Sequence, residues 1–128
     1  MSEQAVRARD YLGHMLDAVR QIQTYSAGKS RMDFESDRLL QDALVRNIEI
    51  LGEAARHTLN AMPDAGARFP GIPFAAIYAM RNQVSHGYFS VDLEIVWKVI
   101  EKDIPHLQVE LQKAHEELSG SRQPPHLR

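Results

Sequence analysis

A long run of apolar residues at helical spacing constrains the fold of this chain most strongly. Between residues 37 and 61, apolar side chains recur every three or four positions, which places them along one face of an α-helix. The run contains Leu40, Ala43, Leu44, Ile48, Leu51, Ala55 and Leu59. A helix of this length needs neighbouring helices to cover its apolar face. The pattern therefore predicts a bundle of helices.

Apolar residues at the same spacing predict a helix on the N-terminal side of this run. It is expected over residues 8–25, after a frayed lead-in at residues 1–7, and Gly28 is expected to end it. Phe34 is predicted to plug the core from within a brief turn. Ser36 or Asp37 can then cap the long helix, because their side-chain oxygens accept hydrogen bonds from its first N–H groups.

The sequence of the C-terminal half indicates a proline-rich loop at residues 62–73. Two more helices are predicted after this loop. Pro73 suits the first position of one helix, and Asp92 is a plausible N-cap for the next. Pro105 is expected to kink or split that last helix. No strand-like alternation or internal repeat occurs, so we predict an all-α, up-and-down bundle of four to five helices. Residues 1–118 form one domain in this prediction, and residues 119–128 form a disordered tail.

Composition limits the classes of protein to which the chain can belong. The 128 residues include 44% hydrophobic residues and 25% charged residues, which is ordinary for a globular protein. No apolar run approaches the length of a membrane span, no secretory signal is evident and no cysteine is present, so we expect a cytoplasmic protein. The formal net charge of −2 argues against a nonspecific nucleic-acid coat protein, because a binding site would need locally gathered basic groups.

One short segment, residues 80–88 (MRNQVSHGY), combines several chemically useful side chains. It contains Arg81, Asn82, His86 and Tyr88. Asn82 and His86 share one face of a helix, which Gly87 is expected to end. Arginine binds phosphate through paired hydrogen bonds, and histidine transfers protons near neutral pH. This combination suits phosphodiester chemistry.

Other interpretations of these patterns remain open. An arginine and a histidine near a helix end can simply bond the last carbonyls. Glu49, Glu53 and His57 follow one another at four-residue steps, which suits either a metal site or a solvated face. Because the Glu-x-x-His pairs of di-iron bundles are missing, we favour the solvated face and expect neither a metal nor a cofactor. Glu53 is expected to hold Arg81 in position across the bundle.

Several separated segments resemble the HepT-like branch of the HEPN superfamily. They are residues 9–12 (RDYL), 41–43 (QDA), 47–54 (NIEILGEA) and 81–97 (RNQVSHGYFSVDLEIVW). The last segment contains the R-x4-H-x-Y pattern formed by Arg81, His86 and Tyr88. The resemblance covers roughly residues 8–112, with the motifs in the family's order. Ser85 departs from the pattern, since an apolar residue is expected before the histidine.

The resemblance implies a homodimer in which the motifs of both subunits face one cleft, and it implies a metal-independent endoribonuclease. Arg81, His86 and Asn82 are then the catalytic residues, and RNA is the substrate. The family also implies the toxin of a type VII-like toxin–antitoxin pair, neutralised when a minimal nucleotidyltransferase transfers AMP to Tyr88. The alternative is a catalytically silent dimer that serves the nucleotidyltransferase as a binding module. A half-buried aromatic at a helix end is the structural alternative for Tyr88.

A set of basic residues bears on how RNA reaches this motif. It comprises Arg46, Arg56, Lys98 and Lys102. These residues would extend a basic track toward the cleft if the fold brought them to one face. Charges at helical spacing are usually solubilising surface groups, and we favour that interpretation.

Overall fold

The computed structural model describes residues 2–85 and 92–120, and for residues 82–85 it describes the helical backbone without the side chains. The described residues form seven α-helices and no strand, which confirms the all-α prediction. The α-helices are α1 (Glu3–Ser26), α2 (Arg31–Glu35), α3 (Arg38–Ala61), α4 (Ala65–Arg68), α5 (Phe74–Ser85), α6 (Leu93–Lys98) and α7 (Ile104–Gly120). A π-helical turn, Val99–Asp103, joins the last two.

The two longest helices, α1 and α3, form the centre of the bundle. The side chains of Asp37 and Ser2 cap them, each accepting a hydrogen bond from a backbone N–H in the first turn. Gly28, at φ 73°, lies in the connection that follows α1 and reverses the chain. The hydroxyl of Thr58, near the end of α3, contacts the sulfur of Met15 in α1 at 3.8 Å. The two helices therefore pack side by side.

The remaining helices cover this central pair. The α5 helix packs on α3, and α7 packs on α1. The short helix α2 begins with a capping box between Ser30 and Asp33 and places Phe34 in the core, where its ring stacks on Trp97 of α6 at 5.2 Å. The fully buried side chains include Leu12, Met15, Ile22, Phe34, Leu44, Ile48, Leu51, Phe74, Ile104, Leu111 and Leu118. One apolar core thus runs through the described residues.

Four details differ from the predictions. The expected frayed lead-in is wrong, because Ser2 caps a helix that begins at Glu3. The expected turn around Phe34 is the helix α2, which its capping box stabilises. The expected loop at residues 62–73 contains the single-turn helix α4. The third long helix begins at Phe74, one residue after the expected Pro73.

The predicted kink or split at Pro105 takes the form of a π-helical turn, Val99–Asp103, which separates α6 from α7 directly before the proline. A proline lacks the N–H that an α-helix would bond to the fourth preceding carbonyl, and its ring crowds that carbonyl. The π-helical turn widens the backbone directly before it, and the N–H of Ile104 bonds to the carbonyl of Val99, five residues earlier. Asp92 caps the start of α6 as predicted, because its side chain accepts hydrogen bonds from the backbone N–H groups of Glu94 and Ile95.

Two further predictions concern the ends of the chain and the membrane. Helix α7 extends to Gly120, and the rest of the predicted tail, residues 121–128, lies outside the described residues. None of the described helices combines the length and apolar character needed to cross a membrane.

Candidate active site

Arg81 lies in the second half of α5, at a point where α5 approaches α3 very closely. The facing residue in α3 is Gly52, which is buried. A Cβ atom added to Gly52 would lie 2.5 Å from the Cβ of Arg81 and 3.1 Å from its Cγ. Real Cβ contacts are essentially never so short, so only glycine fits here. Because residue 52 is glycine, the backbone of α5 at Arg81 can lie this close to α3.

The carboxylate of Glu53, the next residue in α3, contacts three basic side chains. The Nη2 atom of Arg56 donates a hydrogen bond to Glu53 Oε2 at 2.7 Å. Nη2 of Arg81 lies 3.8 Å from Glu53 Oε1, and Nε2 of His57 lies 3.4 Å from Oε2. Arg81 also lies over the ring of Tyr78, with its guanidinium carbon 5.8 Å from the ring centre. Its guanidinium is thus held between a carboxylate and an aromatic ring.

The basic neighbours of Glu53 stabilise its ionised form. The hydrogen bond from Arg56 is the largest cause that lowers the pKa of Glu53 below its ordinary value. Partial burial opposes this effect, and the charges of Arg56, Arg81 and His57 add to it. In turn, the bond to Glu53 raises the pKa of Arg56. The pair is therefore ionised at neutral pH, and Glu53 presents a full negative charge to Arg81.

Arg81 and Glu53 line an open groove between α1, α3 and α5, called here the Arg81 groove. Its volume is about 390 Å³, within the range of clefts that bind small ligands. Its lining comprises Tyr11, His14, Arg46, Glu49, Ile50, Glu53, Ala54, His57 and Arg81. The side chain of Arg81 is 34% exposed, so the guanidinium faces the groove and not the core. Its two arginines, Arg46 and Arg81, each lie within 3.8 Å of a glutamate that also lines the groove.

The described residues contain only part of the predicted motif. Arg81 and Glu53 lie in the groove, and Asn82 follows in the α5 backbone, with its side chain outside the description. His86 and Tyr88 lie outside the described residues, so no distance relates them to Arg81. Their roles, and those of Asn82, Arg81 and Glu53, stay predictions.

The predicted basic residues divide between different surfaces. Arg46 lines the Arg81 groove, where its Nη1 lies 3.8 Å from the carboxylate of Glu49. Arg56 binds Glu53. Lys102 lines a separate, largely apolar hollow between α5 and the segment formed by α6, the π-helical turn and α7. Only Arg46 therefore joins Arg81 in lining the groove.

Sequence reasoning missed three rings in the groove, those of Tyr11, His14 and His57. In the sequence, Tyr11 stands out only as part of a resembling segment, and His57 only as part of a solvated face or an alternative metal site. Tyr11 and His14 are three residues apart, so the sequence does predict that they share one face of a helix. Nothing in the sequence indicates that this face packs against α3. Among the described residues, no group of three histidine, aspartate or glutamate side chains is arranged to hold a metal ion.

Comparison with known proteins places this geometry in context. The family model described as Ribonuclease HepT-like matches residues 15–114. A protein of Methanocaldococcus jannaschii, named as both a gamma-glutamylcyclotransferase and an RNase, is 38% identical over 112 residues, which are 88% of this chain. This chain spans about half of that relative, 49% of its length.

Two shorter relatives match along nearly their whole length. A protein of Thermococcus cleftensis named as a ribonuclease HepT is 33% identical over 105 residues, covering 82% of this chain and 93% of the relative. A protein of Caldanaerobacter subterraneus named as an RNase is also 33% identical over 105 residues, covering 82% of this chain and 91% of the relative. No solved structure matches the chain.

Proposed function

Because this chain belongs to the ribonuclease HepT-like family, we propose that it is an endoribonuclease that cleaves RNA without a metal ion. The observation that carries this proposal is the position of Arg81. A carboxylate from the adjacent helix holds its guanidinium at 3.8 Å, and the side chain lines an open groove. A guanidinium that lines an open groove can approach a bound phosphate and stabilise charge that develops on it.

The proposed reaction uses the nucleophile that RNA itself contains. The 2′-hydroxyl attacks the adjacent phosphorus, and a histidine takes its proton. The bond from phosphorus to the 5′-oxygen breaks, and that oxygen receives a proton from a second acid. Arg81 stabilises the additional negative charge in the transition state, His86 transfers a proton, and Asn82 orients the phosphate or the imidazole through its amide. The products are a 2′,3′-cyclic phosphate and a 5′-hydroxyl.

A symmetric homodimer is part of the proposal, because the reaction needs both a base and an acid. One subunit supplies one motif histidine, His86. A C2 assembly places two identical motifs opposite each other and so supplies the second histidine. The dimer is proposed to form around the motif helix, α5, so that both Arg81 side chains face one cleft.

Neutralisation by modification of Tyr88 completes the proposed function. The enzyme is then the toxin of a toxin–antitoxin pair, and its partner is a minimal nucleotidyltransferase that transfers AMP to the phenol oxygen of Tyr88. The added phosphate carries negative charge, and the added adenosine is bulky. Both effects would keep an RNA phosphate away from Arg81. The family pattern of Tyr88 two residues after His86 supports this part of the proposal.

The decisive experiment is cleavage of RNA by the purified protein in excess EDTA. We expect cleavage that leaves 2′,3′-cyclic phosphates, and we expect the His86→Ala variant to lose it. His106→Ala is the matched control, because His106 is exposed on α7 and lines the separate hollow. Mass spectrometry first establishes that Tyr88 carries no AMP. If such unmodified protein cleaves no RNA, the proposal is wrong, and a binding module that serves the nucleotidyltransferase becomes the better explanation.

The proposed role of Glu53 has its own test. Glu53→Gln keeps the size of the side chain but removes the charge that holds Arg81. We expect the cleavage rate constant to fall about tenfold, because a misplaced guanidinium stabilises the transition state less well. Glu117→Gln is the control, since Glu117 also binds an arginine, Arg68, at 3.2 Å on another face of the bundle. Equal rates for both variants would remove Glu53 from the site.

A further inference from the structure

We propose that the rings of Tyr11 and His57 form a stacking platform for one nucleobase of a single-stranded RNA, beside the phosphate that Arg81 binds. This inference rests on the proposed function and deepens it, because it names the part of the substrate that the groove recognises. It also assigns a role to residues that the proposed cleavage reaction does not use.

The platform consists of aromatic rings that α1 and α3 bring together at the surface. The rings of Tyr11 and His57 are stacked, with centroids 4.9 Å apart and planes 19° from parallel. His14, one turn after Tyr11, meets the Tyr11 ring edge-on at 5.8 Å. One face of His57 lies on Tyr11, and 37% of its side chain stays exposed. The exposed part of the imidazole lines the Arg81 groove, and we place the further ring of the nucleobase there.

The platform lies next to the proposed phosphate-binding group. His57 and Arg81 approach different oxygens of the same carboxylate, at 3.4 Å and 3.8 Å from Glu53. All three side chains line the Arg81 groove. A nucleotide whose phosphate binds Arg81 therefore has a ring platform within the same groove for its own base or for that of its neighbour.

Charge alone gives this groove little affinity for RNA. Arg46 and Arg81 bring two positive charges, but Glu49 and Glu53 lie within 3.8 Å of them, and the formal net charge of the chain is −2. Protein–RNA affinity from phosphate contacts depends on uncompensated basic groups. Stacking of bases on aromatic rings needs no net charge and accepts any base. The groove therefore suits recognition by stacking, with little discrimination between bases.

The test measures the contribution of the bases to binding. The probes are a fluorescein-labelled ten-residue polyuridine RNA and an abasic version with the same backbone and no bases. The protein carries His86→Ala, so that the RNA is not cut during the titration. We expect the abasic RNA to bind about tenfold more weakly, the usual effect of losing one stacked base. With Tyr11→Leu added, the complete RNA should bind about tenfold more weakly, and removal of the bases should cost nothing further.

Control variants separate this role from simple unfolding. Tyr11 packs partly against the core, so each variant is first checked by its thermal unfolding curve. His57→Leu removes the other half of the platform from a half-exposed position and should give the same result. Tyr25→Leu is the matched control, because Tyr25 is on α1, is 40% exposed and does not line the groove. It should leave both titrations unchanged.

The outcomes distinguish this inference from the proposed function. An abasic penalty that is equal with and without Tyr11 and His57 would overturn the platform, as would polyuridine that does not bind the folded protein at all. Neither result depends on whether the protein cleaves RNA, because binding is measured on the His86→Ala background. Loss of cleavage in excess EDTA, in contrast, tests only the nuclease.

Discussion

Gly52 and Arg81 are in contact across the α3–α5 interface, so closely that a Cβ atom on residue 52 would lie 2.5 Å from the Cβ of Arg81. The distal atoms of an arginine could swing away from such a contact, but its Cβ is fixed to the backbone. Any larger residue at position 52 must therefore move α5 itself. The position of the proposed phosphate-binding arginine depends on the absence of a side chain in the neighbouring helix.

Gly52→Ala should destabilise the protein and displace Arg81. Overpacking a close interface costs about 1–3 kcal/mol, whereas replacing glycine by alanine in a helix contributes at most about 1 kcal/mol in the opposite direction. The cost of overpacking is therefore expected to exceed the gain in helix propensity, and the melting temperature should fall by several degrees. Thermal unfolding followed by circular dichroism measures the change.

Gly66→Ala is the matched control for this substitution. Gly66 is also helical, in α4, and a Cβ atom there would meet nothing within 4 Å. Because the added methyl group meets no neighbour, only the higher helix propensity of alanine changes the free energy of unfolding, and stability should stay constant or rise slightly. A Gly52→Ala variant that melts at or above the parent temperature would contradict the close contact.

Glu53→Gln should change how stability depends on acidity. The pKa of Glu53 is lower in the folded protein than its ordinary value, chiefly because Arg56 donates a hydrogen bond to it. The stabilisation from such a carboxylate is fully present above its unfolded pKa, about 4.3, and disappears as the pH falls through the lower folded pKa. The side chain is 39% exposed, so the effect should stay below about 1 kcal/mol.

Denaturant unfolding of both proteins at a series of pH values checks this expectation. The difference in unfolding free energy between parent and Glu53→Gln should be constant above about pH 5 and should shrink toward zero in stronger acid. A difference that persists unchanged at acid pH would mean that the glutamine destabilises through packing and not through lost charge.

Phe34→Ala should be among the most destabilising single substitutions in this chain. Phe34 is fully buried and stacks on Trp97, so truncation leaves a cavity between α2 and α6. Comparable substitutions cost about 3–5 kcal/mol. Met32→Ala in the same helix is the control, because Met32 is 76% exposed, and it should change stability by less than about 0.5 kcal/mol. Urea unfolding compares the two variants, and similar midpoints would contradict the packing of α2.

Arg81→Lys should lower RNA cleavage strongly while leaving the fold intact. Lysine keeps the positive charge but loses the planar fork that binds two phosphate oxygens at once. We expect the cleavage rate constant to fall about a hundredfold, in the range found when a group that stabilises transition-state charge is removed. Arg46→Lys, in the same groove, should have a much smaller effect. Equal losses for the two variants would indicate general electrostatics instead of a specific role for Arg81.

Helix bounds and helix caps were predicted well, because they depend mainly on residues close together in the sequence. The bounds of α3 followed from its apolar spacing, and Asp37 and Asp92 cap helices where capping chemistry indicated. The helix around Phe34 was missed, although Ser30 and Asp33 stand at capping-box spacing. The predicted kink or split at Pro105 corresponds to the π-helical turn that separates α6 from α7 directly before the proline.

The groove could be predicted only in part, because it depends on how helices face one another. Apolar periodicity indicates which side of each helix is buried, but it does not determine which turns of two helices lie opposite. The stacking of Tyr11 on His57 and the contact of Gly52 with Arg81 are both of this kind. The motif itself was identified through the resemblance of several separated segments to the HepT-like branch, and the roles of its residues stay predictions.

The packing of α5 has a consequence for how the protein loses structure. Within one subunit, and among the described residues, helix α3 is the neighbour against which α5 packs most extensively, whereas α1 packs on both α3 and α7. A helix attached chiefly through one neighbour can detach as a separate cooperative unit, at a free energy below that of global unfolding. Backbone amides of α5 should then exchange with deuterium faster than those of α1 and α3. On warming, the proposed phosphate-binding arginine of an isolated subunit would leave its place before the bundle melts, so heat would remove the proposed activity before it denatures the subunit.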